Sequence, residues 1–172
     1  MEKVQKQILH IDVNNAFLSW TAIDRLAQGE KVDIREIEAV IGGDETKRSG
    51  IVLAKSMKAK RKGICTGETL YQARLKCPNL QVFKGDYKSY KKHSNDLYNL
   101  LLQYTDKIER FSIDECFLDM THYLRSDELI TKAYEISKRV KKELGFTVNI
   151  GVAHNKLLAK MASDFTKPDR VH

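Results

Sequence analysis

Three acidic residues stand where acids are out of place. Asp12 falls near the end of Gln7-Ile8-Leu9-His10-Ile11-Asp12-Val13, an otherwise apolar, β-prone run. Asp114 and Glu115 lie between two further β-type segments, 108–113 and 116–120, at tight hairpin spacing. A charged side chain on a buried strand needs a cation or a cage of hydrogen-bond donors. If the two acidic points occupy neighbouring strands, all three carboxylates converge on one sheet edge. Three hard oxygen ligands suit magnesium, which keeps some waters and completes its shell with substrate phosphates. Two such ions about 3.5–4 Å apart can activate a 3′-hydroxyl and stabilise a leaving pyrophosphate. The plainer alternative has Asp12 capping a following helix and Asp114-Glu115 in an ordinary polar turn. Spacing alone leaves both readings open.

The elements that would position these acids are readable from periodicity and punctuation. After the first strand, Asn14 can cap a helix carrying Ala16, Phe17, Trp20, Ile23 and Leu26 toward Gly29. Residues 36–41 and 50–54 read as a hairpin around the polar loop Gly42-Gly43-Asp44-Glu45-Thr46-Lys47-Arg48-Ser49. A short basic helix over 55–62 stops at Gly63, a second runs over about 69–76 before Pro78, and 81–83 is a strand. A long helix over about 88–106 has the core stripe Leu97, Leu100, Leu101 and Tyr104. Beyond the acidic hairpin, a helix buries Leu129, Ala133, Ile136, Val140 and Leu144 and leads into a strand over 146–152. A last helix follows Asn155, carries Leu157, Leu158, Met161, Ala162 and Phe165 on one side, and ends at Pro168. The predicted class is α+β: an antiparallel, ferredoxin-like βαββαβ sheet with helices on one face, built from 1–28 and 85–172, with 29–84 as a small inserted lobe.

Composition narrows the partners. The 172 residues carry a net charge of +7, and 42% hydrophobic with 31% charged residues fits a soluble globular chain. Lys55, Lys58, Lys60, Arg61 and Lys62 crowd together, and Lys138, Arg139, Lys141 and Lys142 form a second group. Such clusters bind phosphates by releasing counterions, or else form solvated helix faces. Cys65, Cys77 and Cys116 form no C-x-x-C pair and stand at no zinc-ligand spacing, so reduced thiols are expected. No apolar run approaches the roughly 20 residues of a membrane helix, and residues 1–7 show no signal segment. The expectation is a cytoplasmic protein without a membrane partner.

Three segments carry a resemblance. His10-Ile11-Asp12-Val13-Asn14-Asn15-Ala16-Phe17 resembles the opening motif of Y-family, lesion-bypass DNA polymerases of the bacterial ImpB/MucB/SamB type. Phe111-Ser112-Ile113-Asp114-Glu115-Cys116-Phe117-Leu118-Asp119 resembles their Ser-Ile-Asp-Glu hairpin. The block from Val148 to Pro168, with Gly151, Asn155-Lys156, Ala159-Lys160, Ala162 and Lys167-Pro168, resembles their third motif. The motifs occur in family order and cover essentially the whole chain.

The resemblance implies a palm with inserted fingers and template-directed, translesion-type DNA synthesis with two Mg2+ ions. It makes Asp12, Asp114 and Glu115 the catalytic metal carboxylates, with the Val13 carbonyl a fourth ligand. Phe17 falls at the steric gate that excludes a 2′-hydroxyl, though by itself it reads as a core aromatic. Lys167, and less strongly Lys160, fall on the triphosphate, and Ser112 supports the hairpin. Implied partners are primer–template DNA, a dNTP, and a sliding clamp through regions beyond this chain. The sequence departs from the pattern at three places: Asn14 stands where a second acid is frequent, and Met57 and Lys60 stand where tyrosine and arginine grip the triphosphate. Lysine keeps the charge but loses the bidentate fork. The resemblance implies a thumb and a little-finger domain beyond these residues, so the 172 residues alone are expected to bind and extend a primer weakly. Two rival readings remain, a nucleic-acid-binding or regulatory palm and a nucleotidyl cyclase. The latter is suggested by Gly42-Gly43-Asp44-Glu45, with Thr46 where the cyclases carry phenylalanine.

Overall fold

The computed structural model describes residues 5–44, 50–125 and 127–172. They divide into two compact units, Met1–Asn14 with Lys91–His172, and Asn15–Tyr90.

The first unit holds a four-stranded antiparallel sheet, and β1 (Ile8–Val13) is central in it. Beside β1 lie β6 (Glu115–Asp119) and β7 (Val148–Ala153), and β5 (Ile108–Arg110) is the outer neighbour of β6. Every residue of β1 is buried, as expected of a strand flanked on both edges and covered on both faces. The outermost β5 is short and exposes Glu109 and Arg110, which blunts an open edge. With α4 (Tyr87–Leu101) and α5 (Leu129–Arg139) as the two crossovers, the order β7-β1-β6-β5 is the expected ferredoxin-like arrangement.

Helix α4 buries Tyr90, His93, Ser94, Leu97 and Leu101 at helical spacing. It stops at Leu101 rather than near residue 106, because Thr105 turns the chain toward β5. The Thr105 hydroxyl donates to the Asp119 carbonyl and accepts from the Lys107 amide, both at 3.0 Å. Helix α5 continues through a π-helical turn, Val140–Leu144, and ends at Gly145 with φ 78°, the left-handed conformation that glycine takes without penalty.

Helix α6 (Lys156–Ser163) departs from the sequence expectation. Its large apolar residues face outward: Leu157 is 70% exposed, and Leu158, Met161 and the following Phe165 are exposed too. Ala159, Ala162 and Ser163 are its buried residues. The reason lies on β7. A Cβ added to Gly151 would stand 1.8 Å from the Ala159 carbonyl oxygen, so the helix backbone rests directly on the strand. At that separation only small residues fit between them. Gly151 is the register partner of His10, so α6 covers the sheet face that carries His10 and Asp12. Leu9 and Ile11 project to the opposite face and are fully buried there.

The second unit is a three-stranded sheet, β3 (Val52–Lys55), β2 (Ala39–Gly42), β4 (Gln81–Lys84), with β2 antiparallel to β3 and parallel to β4. Alternation along β2 splits its core. Val40 packs with Val52, Ala59, Ile64, Leu70 and Ala73, whereas Ala39 and Ile41 pack with Leu18, Ala22, Ile34 and Ala54. Leu18 and Ala22 belong to α1 (Ala16–Ala27), so this helix clusters with the second unit although the sequence reading groups 1–28 with the sheet domain. Asn15, not Asn14, precedes α1; it has φ 48° and makes no side-chain cap. The basic helix α2 (Met57–Arg61) is capped by Ser56, and α3 (Leu70–Lys76) by a Thr69/Gln72 capping box. Of the predicted polar loop, Glu45 to Ser49 lie outside the described residues.

Candidate active site

Pairing of β1 with β6 sets Asp12 opposite Glu115. Partners on adjacent strands send their side chains to the same face, so two carboxylates meet over one stretch of sheet. Asp114 immediately precedes β6, and its carbonyl accepts the Val13 amide at 3.0 Å. Ser112 turns the hairpin inward: its hydroxyl lies 2.6 Å from Asp114 Oδ1 and 3.4 Å from Glu115 Oε2.

Each of the two paired acids holds a lysine. Lys167 bonds Asp12 and lies 2.9 Å from Asp164, and Lys160 bonds Glu115. Burial raises the Asp12 carboxyl above its ordinary range, because a charge that is 8% exposed has lost its water; the ammonium of Lys167 offsets part of this. Desolvation opposes the charge on Lys167, yet its bonds to Asp12 and Asp164 leave its pKa raised. Asp164 is held below the usual carboxylate range by Lys167. Among the described residues no three His, Cys, Asp or Glu side chains stand gathered around one point. The donor set nonetheless fits a hard divalent cation: oxygen ligands at the ends of adjoining strands, two of them already matched to an ammonium.

Asn14 sits at the end of β1 and works as a staple. Its Oδ1 accepts from the Thr147 hydroxyl and the Asp169 amide, both at 2.9 Å, and its amide nitrogen donates to Asn149 Oδ1 at 3.0 Å. An aspartate could not make that donation, which accounts for asparagine here. Asn149 is the β7 partner of Asp12, fully buried, and donates to the carbonyls of Ser163 and Thr166 at 2.8 and 2.7 Å. It thereby fixes the turn that delivers Lys167. Sequence reasoning assigned Asn149 no role, although a lone amide inside Val-Asn-Ile-Gly-Val is the kind of buried polar group that demands partners.

His10 is a second buried polar group to which the sequence alone gives no role. It is fully buried, its Nδ1 lies 2.7 Å from the Ser163 hydroxyl, and its Nε2 is 3.7 Å from Glu115 Oε1. Burial pushes the imidazole pKa down to about 4, against the pull of Glu115. A histidine whose folded pKa lies below its unfolded value is protonated first in the unfolded chain, so stability rises with pH through that window. The metal-free chain should therefore hold its full His10 contribution above pH 6.5 and lose about 3 kcal/mol of it on acidification to pH 4. Asp12, with a raised carboxyl, works in the opposite sense. Urea midpoints from pH 4 to 7 check this: His10→Gln should flatten the dependence, and an unchanged slope would contradict it.

Phe17 and Lys60 belong to the second unit. Phe17, in the first turn of α1, is half-buried and stacks on Tyr90 at 4.7 Å with the rings 12° apart. Lys60, like Lys58, Arg61 and Lys62, is exposed, as is Met57 one turn before it on α2. In the second basic group Arg139 bonds Glu143, Tyr104 and Gln103, and Lys141 pairs with Asp169; these are partly structural charges. Gly42 is built into β2, and Gly43 donates to the Ile51 carbonyl. Cys65, Cys77 and Cys116 are free thiols. Among the described residues no helix is long and apolar enough to cross a membrane.

Residues 11–164 match the impB/mucB/samB family across both acidic points and α6. The chain belongs to that family. Among similar proteins, DNA polymerase IV of Clostridium acetobutylicum is 54% identical over 98% of this chain and 43% of its own length. DNA polymerase IV 1 of Bacillus subtilis is 38% identical over 94% and 37%. Among solved structures, the Y-family DNA polymerase chimera Dbh-Dpo4(243-245)-Dbh superposes with a TM-score of 0.86 at 27% identity, over 96% of this chain and 48% of that one. The insertion ternary complex of Dbh DNA polymerase gives 0.84 at 27% identity, over 96% and 47%. This impB/mucB/samB chain thus has the α+β fold of Y-family polymerases and spans less than half the length of the relatives it matches.

Proposed function

We propose that this chain is the catalytic-centre portion of a template-directed DNA polymerase of the translesion type. One observation carries the reading. Asp12 and Glu115 are register partners on adjacent strands, Asp114 is tied to the same strand end by the Val13 amide, and the two paired acids each hold an ammonium. Asp12, Asp114, Glu115 and the Val13 carbonyl would hold two Mg2+ ions. When bound, the ions activate the primer 3′-hydroxyl and stabilise the leaving pyrophosphate.

Lys167 and Lys160 keep the acids neutralised until an incoming dNTP offers phosphate oxygens, and then turn to the triphosphate. Fixed ammonium groups there stabilise charge that builds during the transfer. Phe17 closes the floor under the sugar against a 2′-hydroxyl. Lys60, assisted by Lys55 or Arg61, contributes charge without the fork of an arginine. The first unit is read as the palm and the second as the fingers. Primer–template DNA and a dNTP are the partners, a sliding clamp would bind through parts that longer relatives carry, and a cytoplasmic location goes with this role.

The second reading is a nucleic-acid-binding or regulatory palm with little activity alone, which the exposed basic residues Lys58, Lys60, Arg61 and Lys62 also suit. Both are tested together. The 172-residue chain should bind a primer–template weakly and extend it poorly, yet support templated extension when it replaces the matching segment of the Clostridium acetobutylicum enzyme. A folded chimera that adds no nucleotide rejects the polymerase reading. Robust processive synthesis by the chain alone rejects the second.

A further inference from the structure

Two groups converge on a single oxygen of Glu115. Lys160 bonds Oε1, and His10 Nε2 stands 3.7 Å from the same atom. The histidine is not there by accident of packing. It is 0% exposed and held at its Nδ1 by Ser163 at 2.7 Å, with its ring 4.6 Å from that of Phe117, while Nε2 has no hydrogen-bond partner among the described residues. A buried polar atom without a partner is uncommon and calls for an explanation.

Tautomer chemistry supplies one. If Nδ1 carried the proton, the Nε2 lone pair would face a carboxylate oxygen inside the protein, acceptor against acceptor. With the proton on Nε2, a donor faces Oε1, and the Ser163 hydroxyl donates to Nδ1 in place of its alternative contact with the Lys160 carbonyl at 2.7 Å. The neutral imidazole then aims an N–H at an oxygen that Lys160 presently occupies.

The geometry points to His10 as a positioning residue that takes over Glu115 Oε1 when Lys160 leaves it for a nucleotide triphosphate. The inference rests on the reading of Glu115 as a metal ligand and of Lys160 as a phosphate contact. The Lys160 side chain is 36% exposed and has room to turn toward a ligand, whereas His10 is fully buried against Phe117 and Ser163. With the lysine gone, the imidazole N–H keeps one carboxylate oxygen fixed so that the other stays oriented for the cation, the function that partners behind a ligand commonly serve. Ser163 belongs to α6, so the same contact joins the helix of Lys160 to the strand of Asp12.

The amide of glutamine reaches the place of Nε2 and that of asparagine the place of Nδ1, which separates the two contacts. Water-proton relaxation by Mn2+, with and without dATP, should show His10→Gln binding within about threefold of wild type in both conditions. His10→Asn should bind Mn2+ about tenfold more weakly when dATP is present and close to wild type when it is absent. Equal Mn2+ binding by both variants with dATP, while Glu115→Gln loses it, overturns the positioning role alone. Undiminished binding by Glu115→Gln overturns the metal reading beneath it. Nitrogen NMR of the wild-type imidazole checks the tautomer whether or not the variants fold: the proton is expected on Nε2, and a proton on Nδ1 rejects the inference.

Discussion

Asp114→Ala, placed in the Clostridium acetobutylicum chimera, should lower templated primer extension by about a thousandfold or more, and Asp12→Asn should do the same. Removing one group that stabilises developing charge typically slows a reaction by 10²–10³-fold, and a lost ligand also lowers occupancy of the ion. Stability should move differently. Burial already raises the Asp12 carboxyl, so a neutral amide removes a desolvation penalty, and Lys167 keeps Asp164 as a partner at 2.9 Å. Asp12→Asn should therefore unfold within about 1 kcal/mol of wild type, or slightly above it. Loss of extension without loss of stability marks a group kept for chemistry. A polar-turn or helix-cap role predicts the reverse pattern, and Asn15 rather than Asp12 already occupies the cap position. Unchanged extension by Asp114→Ala, read beside the parent chimera on one primer–template, would sink the carboxylate assignment.

Gly151→Ala should be the most damaging single methyl in the first unit. The added carbon would lie 1.8 Å from the Ala159 carbonyl oxygen and 2.5 Å from the Ser163 amide nitrogen. Both are backbone atoms, so no rotamer change relieves the clash and α6 must move off the sheet. Overpacking of this kind typically costs 1–3 kcal/mol, and a backbone obstacle places it near the top, at about 3 kcal/mol. Function should fall further than stability, because α6 carries Lys160 and Ser163 and Asn149 ties its end to the turn before Lys167. Urea midpoints with Mn2+ binding measure both effects. Ala159→Gly should not rescue, since the obstruction is a carbonyl and not a methyl. A Gly151→Ala chain with the wild-type midpoint would show that the helix does not rest on β7 as described.

Much of the molecule was legible because local chemistry dictated it. The run Ile8 to Val13 is apolar and β-prone, and it forms the fully buried strand β1; its one acid calls for a cation or a cage of hydrogen-bond donors. The short helix expected over about 69–76 forms as α3, Leu70–Lys76. Asp114-Glu115 between two β-type runs read as the head of a hairpin, and β5 and β6 pair there. In each case the partners are close along the chain, so spacing and residue type suffice.

What failed depended on distance. The sequence groups the apolar residues of α6 on one side without saying whether that side is buried; Phe165 just beyond it is 71% exposed, because burial was decided by Gly151 on another element. Asn14 reads as a helix cap, but its amide is spent on Thr147, Asn149 and Asp169, more than a hundred residues away. Helix α1 reads as a companion of the first strand, but Leu18 and Ala22 find their apolar neighbours in β2 and β3. The sequence by itself determined the residue types at the site: hard oxygen donors on strand ends and lysines in the motif that follows. Only the tertiary structure decided which lysine meets which acid, and that a buried imidazole stands behind Glu115. Residue type and spacing set what a side chain can do; which partner it meets depends on contacts between segments far apart in the chain, and no local pattern encodes those.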